Sequence, residues 1–362
     1  MMKNTHTTIT QVKCWKENLG LKRPYTVTYR TVDSTENLFV YLETGEGLYG
    51  IGSGSPSEYV TGENLEDSLA ELQANLESLL LGKDIRQFQF LIREMEKHFI
   101  ARPAAMAAID VALHDLFCKY LDISLVDYFG RAHETLPTSM TIGIKSLEET
   151  LADGIEFKAT GFKIIKLKIG RNIDEDIERL TKLRETVGKE MLIRVDANQG
   201  YSLEEAQRFF KETAPYDVEF VEQPFTPGNM DLMMKLPKSI RKRCAADEDL
   251  HSPFQAIVMA HPPQPYGIYN IKLMKCGGIL KARQLAQIAE HSSIDLMWGC
   301  NDESAVSITA SLHIALASPA TKYLDLDGSL DLATDVVKGG FVLKDGYMHL
   351  TGGPGLGVEL LK

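Results

Sequence analysis

Phe162-Lys163-Ile164-Ile165-Lys166-Leu167-Lys168-Ile169-Gly170 alternates apolar and basic residues and stops at a glycine. In a β-strand successive side chains point to opposite faces, so Ile165, Leu167 and Ile169 share one face and Lys166 and Lys168 the other. The apolar face predicts packing against helices, which aims both lysines into a partly buried interior. Like charge and desolvation each lower a lysine pKa, so one of the pair is expected to serve as a base near neutral pH.

Outward from this strand the same grammar repeats. Short apolar runs at 139–144, 164–168, 192–196, 218–222, 244–247, 268–272, 295–298 and 323–327 alternate with amphipathic helical segments. Eight such βα units in under 200 residues close most naturally into a (β/α) barrel, with a doubly wound open sheet as the alternative. The predicted strand ends carry Thr141, Lys166, Asp196, Glu222, Asp247, Lys272, Cys300 and Asp325, at gaps of 25 to 30 residues. A barrel gathers those ends around one mouth, the face where catalytic groups of this architecture sit.

Asp196, Glu222 and Asp247 close three adjacent strands and would repel one another unpaired. A divalent cation resolves that conflict, and all-oxygen ligands suit Mg²⁺ or Mn²⁺. Pairing with Arg194 or Arg241 is the structural alternative. The nine histidines form no zinc-type spacing. Strands two and six of an eight-membered ring lie across a diameter, so Lys168 and Lys272 are expected to face each other over the carboxylates. That geometry moves a proton from one face of a carbon to the other. Lys275 is read as loop and as a competitor for that role. Asp325 and Asp327 alternate onto one face, with no cation nearby in sequence, and suit an ammonium ligand.

Before the barrel, residues 8–14, 26–31 and 37–43 alternate as antiparallel strands, and 65–80 and 104–120 carry helical periodicity. This is a separate α+β unit, taken to span 1–132, with 133–329 as the barrel. The tail from 330 is expected to rejoin the first unit through a hairpin turning at Asp345-Gly346, a type I′ signal. Gly50-Ile51-Gly52-Ser53-Gly54 opens no helix within a βαβ unit and is read as a mobile loop over the site.

The chain of 362 residues carries 39 Lys+Arg and 50 Asp+Glu, a formal charge of −11. No basic block and no long apolar run are present, which argues against nucleic-acid and membrane partners. The N-terminus lacks a signal-peptide core, and five cysteines without a C-x-x-C pair suit reduced thiols, so a cytoplasmic setting is expected. Self-association is left open.

Lys166-Leu167-Lys168, Asp196-Ala197-Asn198, Glu222-Gln223-Pro224, Asp247-Glu248 and Asn270-Ile271-Lys272-Leu273 together resemble the muconate-lactonising subgroup of the enolase superfamily. Asp325-x-Asp327 resembles its dipeptide epimerases, particularly the L-Ala-D/L-Glu type. The resemblance implies a capping domain over a modified (β/α)7β barrel. It also implies one Mg²⁺ on Asp196, Glu222 and Asp247, with Lys168 and Lys272 as acid/bases acting through an enediolate. Lys166 would hold the substrate carboxylate, and Asp325 and Asp327 the dipeptide ammonium. Thr141 and Cys300 match substrate-contacting positions, and Arg30 matches an arginine that receives a glutamate side chain. The implied reaction inverts the C-terminal residue of L-Ala-L-Glu, in murein peptide recycling. The alternatives are o-succinylbenzoate synthesis or N-acylamino acid racemisation on the same scaffold, Schiff-base aldolase chemistry, and a non-catalytic small-molecule binder. Asp249 stands where the family usually has serine, and the loop Gly52-Ser53-Gly54-Ser55 lacks the family's frequent glutamate, which puts lid contacts and side-chain specificity in question.

Overall fold

Three antiparallel strands open the fold in the computed structural model, which describes residues 6–26 and 31–361. They are β1 (Ile9–Asn18), β2 (Glu36–Thr44) and β3 (Tyr49–Gly54), in the order β1-β2-β3. The helices α1 (Leu65–Leu80), α2 (Phe88–His98) and α3 (Pro103–Tyr120) pack on this sheet. Asn64 starts α1 by accepting from the Glu66 and Asp67 amides, satisfying two of the orphan donors at a helix N-terminus. Pro103 occupies the first turn of α3, where a missing N–H costs nothing.

The glycine-rich segment is not a mobile loop. Gly50, Gly52 and Gly54 lie within β3, and a Cβ on each would stand 2.3, 1.9 and 2.2 Å from the carbonyl oxygens of Ala112, Ala108 and Ala104. Glycines on the strand and alanines on α3 let the two backbones touch, a contact no larger side chain permits.

Eight parallel strands follow in chain order: β4 (Ser139–Ile142), β5 (Ile164–Lys168), β6 (Leu192–Asp196), β7 (Val218–Glu222), β8 (Cys244–Ala246), β9 (Ile268–Ile271), β10 (Asp295–Gly299) and β11 (Thr321–Asp325). Each neighbours the next in one sheet, and a parallel bridge between Thr138 and Leu324 joins the last to the first. The open-sheet alternative is therefore excluded. Ile165, Leu167 and Ile169 are buried with Leu180 and Leu183 of the helix Ile173–Val187, as the alternation requires. Phe220, Ala245, Ile268 and Met297 fill the barrel floor. Serine caps with reciprocal glutamates, Ser146/Glu149 and Ser202/Glu205, start the helices after β4 and β6.

Two fully buried aspartates on α3 fasten cap to barrel and tail. Asp110 accepts from the Ile279 and Leu280 amides at 2.8 and 3.2 Å, capping the helix Ile279–His291. Asp115 accepts from Ile51 N at 3.0 Å and Leu356 N at 2.9 Å, and pairs with Lys119 at 2.8 Å. Each amide left unpartnered there would cost about 1–3 kcal/mol. The tail hairpin Phe341–Lys344/Tyr347–Leu350 turns at Asp345 and Gly346 with φ of +52° and +80°, both left-handed as a type I′ turn demands. It pairs with Leu136–Pro137 at the barrel entrance, while Gly355 bridges to Ser124 beside the cap.

Among the described residues no helix is long and apolar enough to cross a membrane. All five cysteines are free thiols.

Candidate active site

A cavity of about 330 Å³ lies between the cap and the C-terminal mouth of the barrel. That is the size range of small-molecule sites. The loop after β10 closes one side, where the Asp302 carbonyl accepts from Thr35 Oγ1, Asn37 Nδ2 and Ser55 Oγ at 3.1–3.2 Å. Lys166, Lys168, Asp247, Lys272, Cys300, Asp325, Asp327 and Thr141 all line the cavity. Asp196 and Glu222 lie beneath it, fully buried. Asp247 and Lys272 sit one residue beyond the ends of β8 and β9, so strand geometry still aims them at the mouth. β5 and β9 are four steps apart in the closed ring of eight, which sets Lys168 and Lys272 on opposite walls. Arg30 lies outside the described residues.

The lysines, not arginines, neutralise the carboxylates. Lys166 Nζ is 2.7 Å from Asp325 Oδ2, 2.8 Å from Glu222 Oε2 and 3.1 Å from Asp196 Oδ2. Lys168 Nζ pairs with Asp196 Oδ2 at 2.7 Å, and Lys272 Nζ with Asp247 Oδ2 at 2.8 Å. Arg194 instead spans the barrel floor, bonding Glu219 Oε2 at 2.7 Å and the Leu324 carbonyl at 2.6 Å between the rings of Phe220 and Tyr323. Arg241 is spent on the carbonyls of Gln264 and Leu236.

This arrangement corrects two sequence expectations. Burial would depress the Lys166 pKa, but Asp325, Glu222 and Asp196 outweigh it and hold the amine well above the usual lysine range. Lys272 shows the same balance, burial opposed by Asp247 and Glu222, and is likewise raised. The repulsion between lysines is real but smaller than the pull of carboxylates from other strands. Asp325, expected to lack a nearby cation, is gripped by Lys166 and by Ser139 Oγ at 2.6 Å.

The acids respond in kind. Glu222 is pushed up by burial and then by the Asp196 charge, whereas Asp196 stays low despite burial because Lys168 and Lys166 face it. Asp327 is raised to about 7 by burial and by Asp325, and its Oδ2 accepts from Thr141 N at 2.8 Å. Thr141 thus meets the site through its main chain. The Cys300 thiol donates to the Asp325 carbonyl at 3.2 Å and accepts from Gly328 N at 3.3 Å, holding the loops after β10 and β11 together.

Several contributors escaped the sequence reading. Lys275 is not loop. It is buried in the short helix Leu273–Cys276, where its amine is spent on Asp247 Oδ1 at 2.5 Å, the Asp247 carbonyl at 2.5 Å and the Asn270 carbonyl at 3.2 Å. It steadies Asp247 and does not line the cavity. Asn270 Nδ2 donates to Glu222 Oε1 at 2.7 Å, a contact that inward alternation from Lys272 would have flagged. Asp249 braces the loops, accepting from Tyr266 OH at 2.6 Å, Gly228 N at 2.8 Å and Gln223 Nε2 at 3.0 Å.

Among the described residues no set of three His, Cys, Asp or Glu side chains already stands in metal-holding geometry, because each carboxylate is turned onto a lysine. The donor chemistry nevertheless fits a hard divalent cation. Three buried carboxylates end adjacent strands, and Asn198 Oδ1, beside Asp196, is buried without a hydrogen-bond partner.

Comparison with known proteins identifies the family of the fold. Residues 9–130 match the mandelate racemase/muconate lactonizing enzyme N-terminal domain, and residues 150–362 the enolase C-terminal domain-like family. A protein of Desulforapulum autotrophicum named L-Lys-D/L-Arg epimerase is 52% identical over 351 residues, covering 97% of this chain and 99% of that one. An L-Ala-D/L-Glu epimerase of Clostridium acetobutylicum is 32% identical, covering 94% and 96%. The crystal structure of a dipeptide epimerase from Methylococcus capsulatus, complexed with Mg and the dipeptide L-Arg-D-Lys, superposes with a TM-score of 0.95 at 49% identity, covering 97% and 99%. The chain belongs to the enolase superfamily, in its mandelate racemase/muconate-lactonising branch, and is an isomerase grouped there with the dipeptide epimerases.

Proposed function

We propose that this protein is a Mg²⁺-dependent dipeptide epimerase that inverts the α-carbon of the C-terminal residue and prefers dipeptides with cationic side chains. The observation that carries the chemistry is the pair of amines, Lys168 and Lys272, on opposite walls of a mouth floored by three buried carboxylates. Asp196, Glu222 and Asp247 would hold the cation, which when bound neutralises them and offers a charge sink to a substrate carboxylate. An amine freed of its carboxylate partner and set near other lysines gives up its proton more readily. One lysine then takes the α-proton from its face, and the other delivers a proton from the opposite face. Lys166 steadies the carboxylate, and Asp327 beside Asp325 receives the dipeptide ammonium. That ammonium contact favours a dipeptide over the N-acylated or succinylated substrates of related chemistry.

Two observations support the cationic preference. The relative at 52% identity is named for Lys and Arg substrates, and the described cavity lining holds eight acidic against five basic residues. The L-Ala-L-Glu reading, with its place in murein peptide recycling, rests on Arg30 and on the likeness to the Clostridium protein, and ranks second.

Incubating L-Lys-L-Arg, L-Ala-L-Glu and L-Ala-L-Leu separately with protein and Mg²⁺ in D₂O tests the proposal, with α-proton loss and epimer formation followed by NMR. The cationic dipeptide is expected to turn over with a kcat/KM at least roughly ten-fold above the others, a difference that one charge-assisted contact supplies. A preference for L-Ala-L-Glu reverses the substrate order, and exchange with none removes the epimerase reading.

Asp327 adds a pH dependence. Its carboxyl holds a proton up to a pH of about 7, and an ammonium binds the ionised form, so KM is expected to fall as pH rises through 7. Asp327→Asn should raise KM and flatten that dependence. Without substrate the sign is opposite for stability. A carboxyl whose pKa is raised on folding stabilises the native chain below the unfolded value of about 4, and that contribution fades as pH climbs through 7.

A further inference from the structure

The chain leaving Lys168 is held by a buried cluster, Asp176, Arg179 and Tyr201, whose side chains do not line the cavity. Gly170 N, two residues on, donates to Asp176 Oδ2 at 2.7 Å, and the same oxygen accepts from Tyr201 OH at 2.9 Å. Tyr201 lies in the loop that follows Asp196-Ala197-Asn198, and its own amide bonds the Pro224 carbonyl after β7. One carboxylate therefore ties together the loops leaving β5 and β6. These loops meet backbone to backbone: a Cβ on Gly170 would stand 2.1 Å from the Ala197 carbonyl, and one on Gly200 2.1 Å from the Gly170 carbonyl. Gly170, at φ +105°, also needs glycine's conformational freedom.

Arg179, one turn along, pairs with Asp176 Oδ1, yet its Nε and Nη1 are buried without a partner. A buried ion pair is weak evidence of stabilisation, and this one leaves donors idle. What the cluster does fix is the backbone beside Lys168. Lys272 has a brace of its own, because it directly precedes the helix Leu273–Cys276, whose first carbonyl accepts from Gly277 and Gly278.

We infer that Asp176, with Tyr201, is a positioning residue for Lys168 and so supports proton transfer on one face of the substrate only. The inference rests on the two-lysine reading above. From here the consequence is specific: weakening the cluster displaces one base and spares the other, which uncouples epimerisation from exchange at the Lys272 face.

The test follows α-proton exchange in D₂O from each epimer of the best dipeptide, using Mg²⁺-loaded protein. Asp176→Ala combined with Arg179→Met removes the anchor without stranding a guanidinium. Epimerisation kcat is expected to fall about ten- to a hundred-fold with KM within about three-fold, as for a misplacement of roughly 1 Å. Exchange should fall in step from the epimer that Lys168 serves and stay near wild type from the other. Lys168→Ala identifies which epimer is which. Tyr201→Phe should give a smaller loss with the same asymmetry, and it carries the test if the double variant does not fold. Equal losses from both epimers, or no loss, would overturn the inference. A wild type that exchanges no dipeptide overturns the epimerase reading, and this inference with it.

Discussion

Lys168→Ala and Lys272→Ala are each expected to lower epimerisation by about three orders of magnitude, since one positioned acid/base contributes about 10²–10⁴-fold. The two losses should look alike in turnover and differ in exchange. A protein with one remaining amine can remove the α-proton from its own face and return a deuteron there, so each variant retains washout from one epimer and loses it from the other. The basis is topological: the lysines stand four strands apart in a closed ring of eight. Full turnover in either variant, or washout from the same epimer in both, would contradict transfer between two faces.

Chelation is expected to abolish turnover, and Mg²⁺ to restore it. A second readout needs no substrate. A ligand that binds only the folded chain stabilises it by about 2.7 kcal/mol at a hundred times its dissociation constant, so the melting midpoint of chelator-treated protein should climb as Mg²⁺ is added. Asp196→Asn and Glu222→Gln should flatten that climb, because they remove charge from the donor set. Asp325→Asn should leave it, because Asp325 is engaged by Lys166 and Ser139. A melting midpoint indifferent to Mg²⁺ in the wild type would refute the ligand assignment.

Much of the architecture was legible because strand alternation and the spacing of strand ends are local properties. Lys166-x-Lys168 could only point inward if Ile165 and Leu167 faced helices, and they do. The glycines of 50–54 misled for a definable reason. The same residues that permit a flexible loop also permit a strand to lie against a helix backbone, and only the alanines of α3 distinguish the two. Lys275 escaped because its acceptors include main-chain carbonyls, which no side-chain pattern announces. The direction of the Lys166 pKa shift was misjudged because its neighbour in sequence is another lysine, whereas Asp325, Glu222 and Asp196 arrive from three other strands.

The order of strands, their inward residues and the chemical character of the mouth follow from the amino-acid order alone, since periodicity and βα connectivity admit few closures. Which charge neutralises which was decided by the tertiary structure. Coulomb energy depends on separation in space, and closing the barrel brings Asp325 to 2.7 Å from a lysine 159 positions earlier in the chain.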